Sequence, residues 1–137
     1  NSIVYCGNSM PIRYMQMFSR TDHTIYASRG ANGIDGQVAT AIGIAKATQR
    51  EVHCIVGDLT FLYDLKSAVL DMPVNLMVHV VNNNGGRIFE RVNGATFLIN
   101  NHDKQIRDVL PSYCTNICEH IPDNEQTRLF WNEVDKL

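Results

Sequence analysis

The chain has 137 residues, of which 45% are hydrophobic and 19% charged, and its formal net charge is -2. This is enough apolar material for one domain with its own core, and too much for a disordered chain. The near-neutral balance argues against general nucleic-acid binding, and no apolar run approaches the roughly 20 residues that a membrane helix needs.

The opening run, Asn1 to Gly7, has no basic flank and reads as a strand over Ile3–Gly7 rather than a signal peptide. Met10, Tyr14, Met17 and Phe18 then recur at helical spacing behind Ser9, a candidate N-cap, with Pro11 in the first turn; they predict a helix over Met10–Phe18. Thr24–Ser28 is a second β-rich run, and the glycine-rich loop Arg29–Gly36 follows it. Gln37–Thr48 is alanine-rich and free of proline, as a closely packed helix would be. Val52–Val56 predicts a third strand, ended by Gly57-Asp58. Leu59–Leu70 predicts a helix with Phe61, Leu62, Leu65, Val69 and Leu70 on one side. Val74–Val81 is nearly continuous in apolar residues, the pattern of a parallel strand covered on both faces, and Asn82-Asn83-Asn84-Gly85-Gly86 ends it in a turn.

Strands alternating with helices predict a three-layer α/β/α fold: an open, mostly parallel sheet with right-handed crossovers. Val92–Asp103 reads as a loop, and Ile106–Cys118 carries no clear period. Asp123–Leu137 predicts a helix capped by Asp123 and Gln126, with the stripe Leu129, Phe130, Val134 and Leu137 turned to its own core. Cys6 and Cys54 fall in strands and read as buried free thiols. Cys114 and Cys118, with His120 near, form a single close pair where a structural zinc needs about four ligands, so the expectation is a reduced, cytoplasmic protein. Asp64 reads as a polar helix position without a role. His23, His53, His79, His102 and His120 show no spacing that points to catalysis, and His53 and His79 read as hydrogen-bonded strand residues.

The informative constellation is a pair of strand ends. Gly57-Asp58 closes one apolar strand and Asn82-Asn83-Asn84-Gly85-Gly86 closes the next. Ligands of open α/β sheets bind outside the carboxyl ends of the strands, so both ends feed one crevice. A carboxylate, amide oxygens and exposed carbonyls are hard donors that suit magnesium, which is held by one or two carboxylates and by phosphate oxygens of a ligand. Glycine lets backbone approach a phosphate closely.

On these residues the chain resembles thiamine-diphosphate enzymes, whose signature opens with Gly-Asp and closes with Asn-Asn. Gly7-Asn8-Ser9 with Arg13, Ser28 through Gly36, Gly57 through Leu65, and Asn82 through Gly86 with Ile88-Phe89 are together similar to one family. It is the 2-succinyl-5-enolpyruvyl-6-hydroxy-3-cyclohexene-1-carboxylate (SEPHCHC) synthases of menaquinone biosynthesis. The resemblance implies a transferase that uses thiamine diphosphate and Mg2+, decarboxylates 2-oxoglutarate and adds the succinyl unit to isochorismate. It further implies that Asp58, Asn83 and the Gly85 carbonyl bind the metal. Gly57, Asp58, Leu59, Thr60, Asn83, Gly85, Gly86, Ile88 and Phe89 would contact the cofactor, which Ile34 bends into its V shape. Ser9, Arg13 and Arg29 would contact the acid substrates; the planar arginine fork suits carboxylates.

By the same resemblance, residues 1–137 form one diphosphate-binding domain of a larger multidomain, homo-oligomeric enzyme. The glutamate that activates the cofactor comes from another domain, so no catalytic residue is assigned in this chain and the chain alone is expected to be inactive. The stretch from Asp58 to Asn82 is slightly shorter than in the family, around Leu70–Val74, and beyond Phe89 the similarity fades, with Arg87 and Glu90 as added charges. Two alternatives stay open: a Mg-diphosphate binding module without catalysis, and another thiamine-diphosphate-dependent 2-oxo acid decarboxylase of the acetolactate-synthase kind.

Overall fold

The computed structural model describes residues 2–19, 24–99 and 101–122. In chain order its elements are β1 (Ile3–Cys6), α1 (Met10–Phe18), β2 (Ile25–Tyr26), α2 (Gln37–Thr48), β3 (Val52–Gly57), α3 (Asp58–Tyr63), α4 (Leu65–Asp71), β4 (Leu76–Val81) and β5 (Ile117–His120), with 3-10 turns between β4 and β5. All four strand pairings are parallel, in the order β2-β1-β3-β4-β5. The helix predicted over Asp123–Leu137 and the residue His23 lie outside the described residues.

A parallel sheet is stable when helices cover both faces, and the strand compositions reflect it. In β3, Val52 through Val56 are buried without alternation. Ile12 and Met15 of α1 pack with Val4, Cys6, Ile55 and Val81 on one face. Val38, Ala41 and Ala45 of α2, Phe61 of α3 and Ala68 of α4 pack with Tyr5, Cys54, Val56, Val78 and Val80 on the other. The result is the three-layer α/β/α arrangement. A fully buried branched side chain such as Val56 or Val78 contributes about 1.5–3 kcal/mol. Burial also pushes the Cys6 thiol up to about 12 and raises that of Cys54, so both stay protonated core residues.

Two elements differ from the sequence-based expectation. The helix expected over Leu59–Leu70 is two helices, α3 and α4, that break at Asp64. Asp64 is buried, not a surface position: Oδ1 accepts the Gly36 amide at 2.9 Å and Oδ2 the Val38 amide at 2.7 Å. The first turn of α2 follows Gly36, which has no side chain to cap it, and so takes its carboxylate from α3–α4. A carboxylate there satisfies orphan amides and meets the positive end of the helix dipole. The second difference is β5, which begins at the end of the stretch that carried no readable period and runs two residues past it. Four half-buried residues are too few to show one, yet Asn82 donates its amide to His120 O and Val78 to Asn116 O. Between α4 and β4 the chain turns within Met72–Asn75. Asn75 Nδ2 closes that turn by donating to Ala45 O and Arg50 O.

Three histidines cross the α1 side of the sheet. His53 Nδ1 lies 3.1 Å from His79 Nε2, and His79 Nδ1 lies 3.2 Å from His120 Nε2. Neutral imidazoles carry one N–H each, which is what each contact needs. Burial, then the neighbouring His120 and His53, pushes His79 down to about 4, and burial lowers His53 and His120 too.

Two outcomes follow for the purified chain. Asp64→Ala leaves buried α2 amides unpaired and should cost about 2–3 kcal/mol in urea denaturation, with Asp64→Asn, which keeps one acceptor, losing about half as much. The histidines, depressed in the fold, bind fewer protons folded than unfolded at mildly acid pH. Stability should therefore be fully present above about pH 6.5 and fall as pH drops toward 4, with a shallower fall in His79→Phe. A denaturation midpoint that is flat from pH 7 to 4, or identical slopes for the two proteins, would contradict this.

Candidate functional site

The carboxyl ends of the strands surround a cavity of about 420 Å³. Each strand except β5 sends a loop or helix start to it. Ser9 and Arg13 come from the β1 end, Arg29 and Ile34 from the loop after β2, Gly57, Asp58, Leu59 and Thr60 from the β3 end, and Asn83, Gly86, Ile88 and Phe89 from the β4 end. The chain order reverses direction across the sheet at β1 and β3, the place where open α/β sheets leave a crevice for ligands. Of the residues singled out in the sequence, only Gly85 does not line the cavity; its amide instead donates to Asp58 Oδ2 at 2.7 Å. Met10, Pro11, Asn32, Gly33 and Arg87 line it as well. Arg87, noted in the sequence only as an added charge, donates from Nε to Asn83 O and from Nη1 to Glu90 Oε1.

The loops are held from beneath. Tyr5 donates its hydroxyl to Gln37 Oε1 at 2.9 Å and lies 2.9 Å from Ser28 Oγ, joining β1 to both ends of the glycine-rich loop. Asn8 is fully buried; its Nδ2 donates to Ser28 O and Gly33 O, and its Oδ1 accepts Arg29 Nη1 at 3.1 Å. Asn8 thus orients Arg29, which sits with Arg13 on the cavity wall. Ser9 has φ 73° and ψ -136°, a conformation that a non-glycine residue adopts at a cost of order 1–3 kcal/mol. Such strain persists where surrounding structure over-determines it, and here it turns the chain from β1 into α1 beside the cavity.

The oxygen atoms on the opposite wall have unmet capacity. Asp58 is buried, and Oδ1 accepts the Leu59 amide at 2.9 Å. Oδ2 accepts the Gly85 amide at 2.7 Å and lies 2.8 Å from His102 Nε2. A carboxylate offers about four acceptor positions, so one remains, on Oδ1. Asn83 Oδ1 is the buried side-chain oxygen that has no hydrogen-bond partner among the described residues. An orphaned buried acceptor costs about 1–3 kcal/mol, and a cation is one partner that removes the cost. Gly85 at φ 89° and Gly86 at φ 53° let the chain double back here, and a side chain at Gly86 would meet Leu98 O at 3.2 Å.

His102 is the residue the sequence reading missed. Its partner, Asp58, is 44 positions earlier, and no local pattern marks the pair.

No family model matches the chain. Among curated proteins it is similar to the 2-succinyl-5-enolpyruvyl-6-hydroxy-3-cyclohexene-1-carboxylate synthase of Desulfotalea psychrophila, with 39% identity over 121 residues, covering 82% of this chain and 22% of that protein. The protein of the same name from Bdellovibrio bacteriovorus is 37% identical over 162 residues, covering 99% of this chain and 31% of the relative. That alignment is longer than the chain itself, so the relative carries residues here that the chain lacks. The Bacillus velezensis protein of that name is 43% identical over 93 residues, 64% of this chain and 16% of the relative. The chain spans less than a third of the length of these curated relatives. Identity of this size, reaching across nearly the whole chain in one case, means that the chain belongs to the 2-succinyl-5-enolpyruvyl-6-hydroxy-3-cyclohexene-1-carboxylate synthase family.

Proposed function

We propose that the chain is the C-terminal, diphosphate-binding domain of a larger SEPHCHC synthase of menaquinone biosynthesis. The enzyme would use thiamine diphosphate and Mg2+ to decarboxylate 2-oxoglutarate and add the succinyl unit to isochorismate. The observation that carries the reading is a pair of residues at the strand ends that line one cavity: Asp58, whose Oδ1 keeps an open position, and Asn83, whose buried Oδ1 has no partner among the described residues. Hard, buried oxygen donors with one negative charge between them fit a magnesium ion that also takes diphosphate oxygens. The Gly85 carbonyl is the third protein ligand in this proposal.

When bound, thiamine diphosphate supplies the electron sink for decarboxylation. The chain's own residues bind and orient. Asp58 and Asn83 hold the cation, and Thr60 with the Gly57-Asp58 backbone holds the diphosphate. Ile34, Ile88 and Phe89 line the same cavity with apolar surface, and Ile34 would support the bent form of the cofactor. Ser9, Arg13 and Arg29 present a hydroxyl and two guanidinium groups to carboxylates, and both substrates are acids. Asn8 fixes the Arg29 fork in advance, which lowers the entropic cost of binding an anion. No residue of this chain is assigned the activating proton transfer; a glutamate of another domain, across a homo-oligomer interface, takes that role.

Calorimetry on the purified chain should detect magnesium-dependent binding of thiamine diphosphate, and Asp58→Ala should abolish it. Binding that survives this substitution would mean the metal site lies elsewhere. The chain alone should show no turnover, whereas the parent protein should consume 2-oxoglutarate and isochorismate only with both cofactor and Mg2+ present. Cofactor binding without consumption of either acid would leave a Mg-diphosphate binding module. Consumption of neutral 2-oxo acids instead would indicate a decarboxylase of the acetolactate-synthase kind.

A further inference from the structure

The loop that carries His102 is fastened to the β4 end by alternate asparagines. Asn84 Oδ1 accepts the amides of His102 at 3.0 Å and Asp103 at 2.8 Å, and Asn84 Nδ2 donates to Asp103 Oδ1 at 2.7 Å. Asn82 Nδ2 donates to Lys104 O at 2.8 Å and to Glu119 Oε1 at 2.7 Å. Asn82 and Asn84 therefore hold the loop, while Asn83 between them lines the cavity. The loop in turn sets the state of the ring. The Lys104 amide donates to His102 Nδ1 at 2.9 Å, so Nδ1 is the acceptor and Nε2 carries the hydrogen. His102 Nε2–H then donates to Asp58 Oδ2, and the ring is largely buried against it.

We propose that His102 is a positioning residue for the cation site, holding the Asp58 carboxylate in the one rotation that presents Oδ1 beside Asn83. The inference rests on the reading of Asp58 and Asn83 as cation ligands. Oδ2 has two donors, the Gly85 amide and His102 Nε2–H, which fill its lone pairs. The Leu59 amide takes one of the pairs on Oδ1. The single remaining direction makes Asp58 a one-oxygen ligand, leaving other positions on a six-coordinate ion for Asn83, the Gly85 carbonyl and diphosphate oxygens. Without His102 the carboxylate keeps its charge but loses one of the two bonds that pin Oδ2, so rotation can present the wrong oxygen or a chelating pair. Partners of this kind set ligand orientation and typically change metal affinity by 10–100-fold.

The test uses Mn2+ as the probe, titrated into the purified chain and followed by electron paramagnetic resonance of the free ion. His102→Leu should weaken saturable Mn2+ binding by about tenfold or more, and His102→Gln, whose amide nitrogen reaches the place of Nε2, should stay within about threefold of the parent. Circular dichroism melting checks that each variant is folded. If the leucine variant does not fold, His102→Asn, whose amide is too short to reach Asp58, takes its place against His102→Gln. Unchanged affinity in the donor-less variant, with Asp58→Asn abolishing binding, would overturn the role of His102 while leaving the site intact. Tighter binding without His102 would also overturn it, because the ring would then be competing with the ion. Binding indifferent to Asp58→Asn would instead sink the site reading itself.

Discussion

The Gly85 amide donates to Asp58 Oδ2 across the gap between the β3 and β4 ends, and the rest of the cavity depends on that bond. It ties the first residue of α3 to the turn after β4, so the two loops cannot separate without stranding a buried carboxylate. Loss of a partner from a buried charge is costly, which makes the contact hard to open and the relative placement of Asp58 and Asn83 well defined. The parallel register of β3 with β4, with Gly57 opposite Val81, brings both loops to the same level.

The short helix α3 carries a carboxylate at each end. Asp58 faces the β4 loop, and Asp64 takes the Gly36 and Val38 amides at the start of α2. One six-residue helix therefore locks two neighbouring loops, one contributing Asn83 and the other Ile34 and Arg29. The break between α3 and α4 follows from this. Asp64 at φ -99° and ψ 11° leaves the helical path, and its side chain is committed to the amides of another helix. Asn8 does for the β1 side what Asp64 does for α2, committing both amide hydrogens to carbonyls of Ser28 and Gly33 and its amide oxygen to Arg29.

The far half of the sheet is built differently. There the α1 side carries His53, His79 and His120 in line, where β1 carries Val4 and Cys6 and the carboxyl end of β3 carries Ile55. The depressed basicity of His79 says that the neutral chain is the one the fold stabilises. Its contribution is to the sheet, since none of the three lines the cavity.

Apolar periodicity by itself determined most of the scaffold. It located β1, α1, β3 and β4, because each buries a continuous run or a helical stripe that a window of a dozen residues can display, while alanine richness located α2. The Gly-Asp and Asn-Asn-Asn-Gly-Gly ends marked the cavity walls, because turns at strand ends need those residue types. Only tertiary structure decided the rest. The role of Asp64, the break it causes, the pairing of β5 and the contact of His102 with Asp58 join residues 26 to 44 positions apart. Which distant residues meet is set by strand order and loop path. A polar side chain destined for one buried partner has the same local sequence as one destined for water.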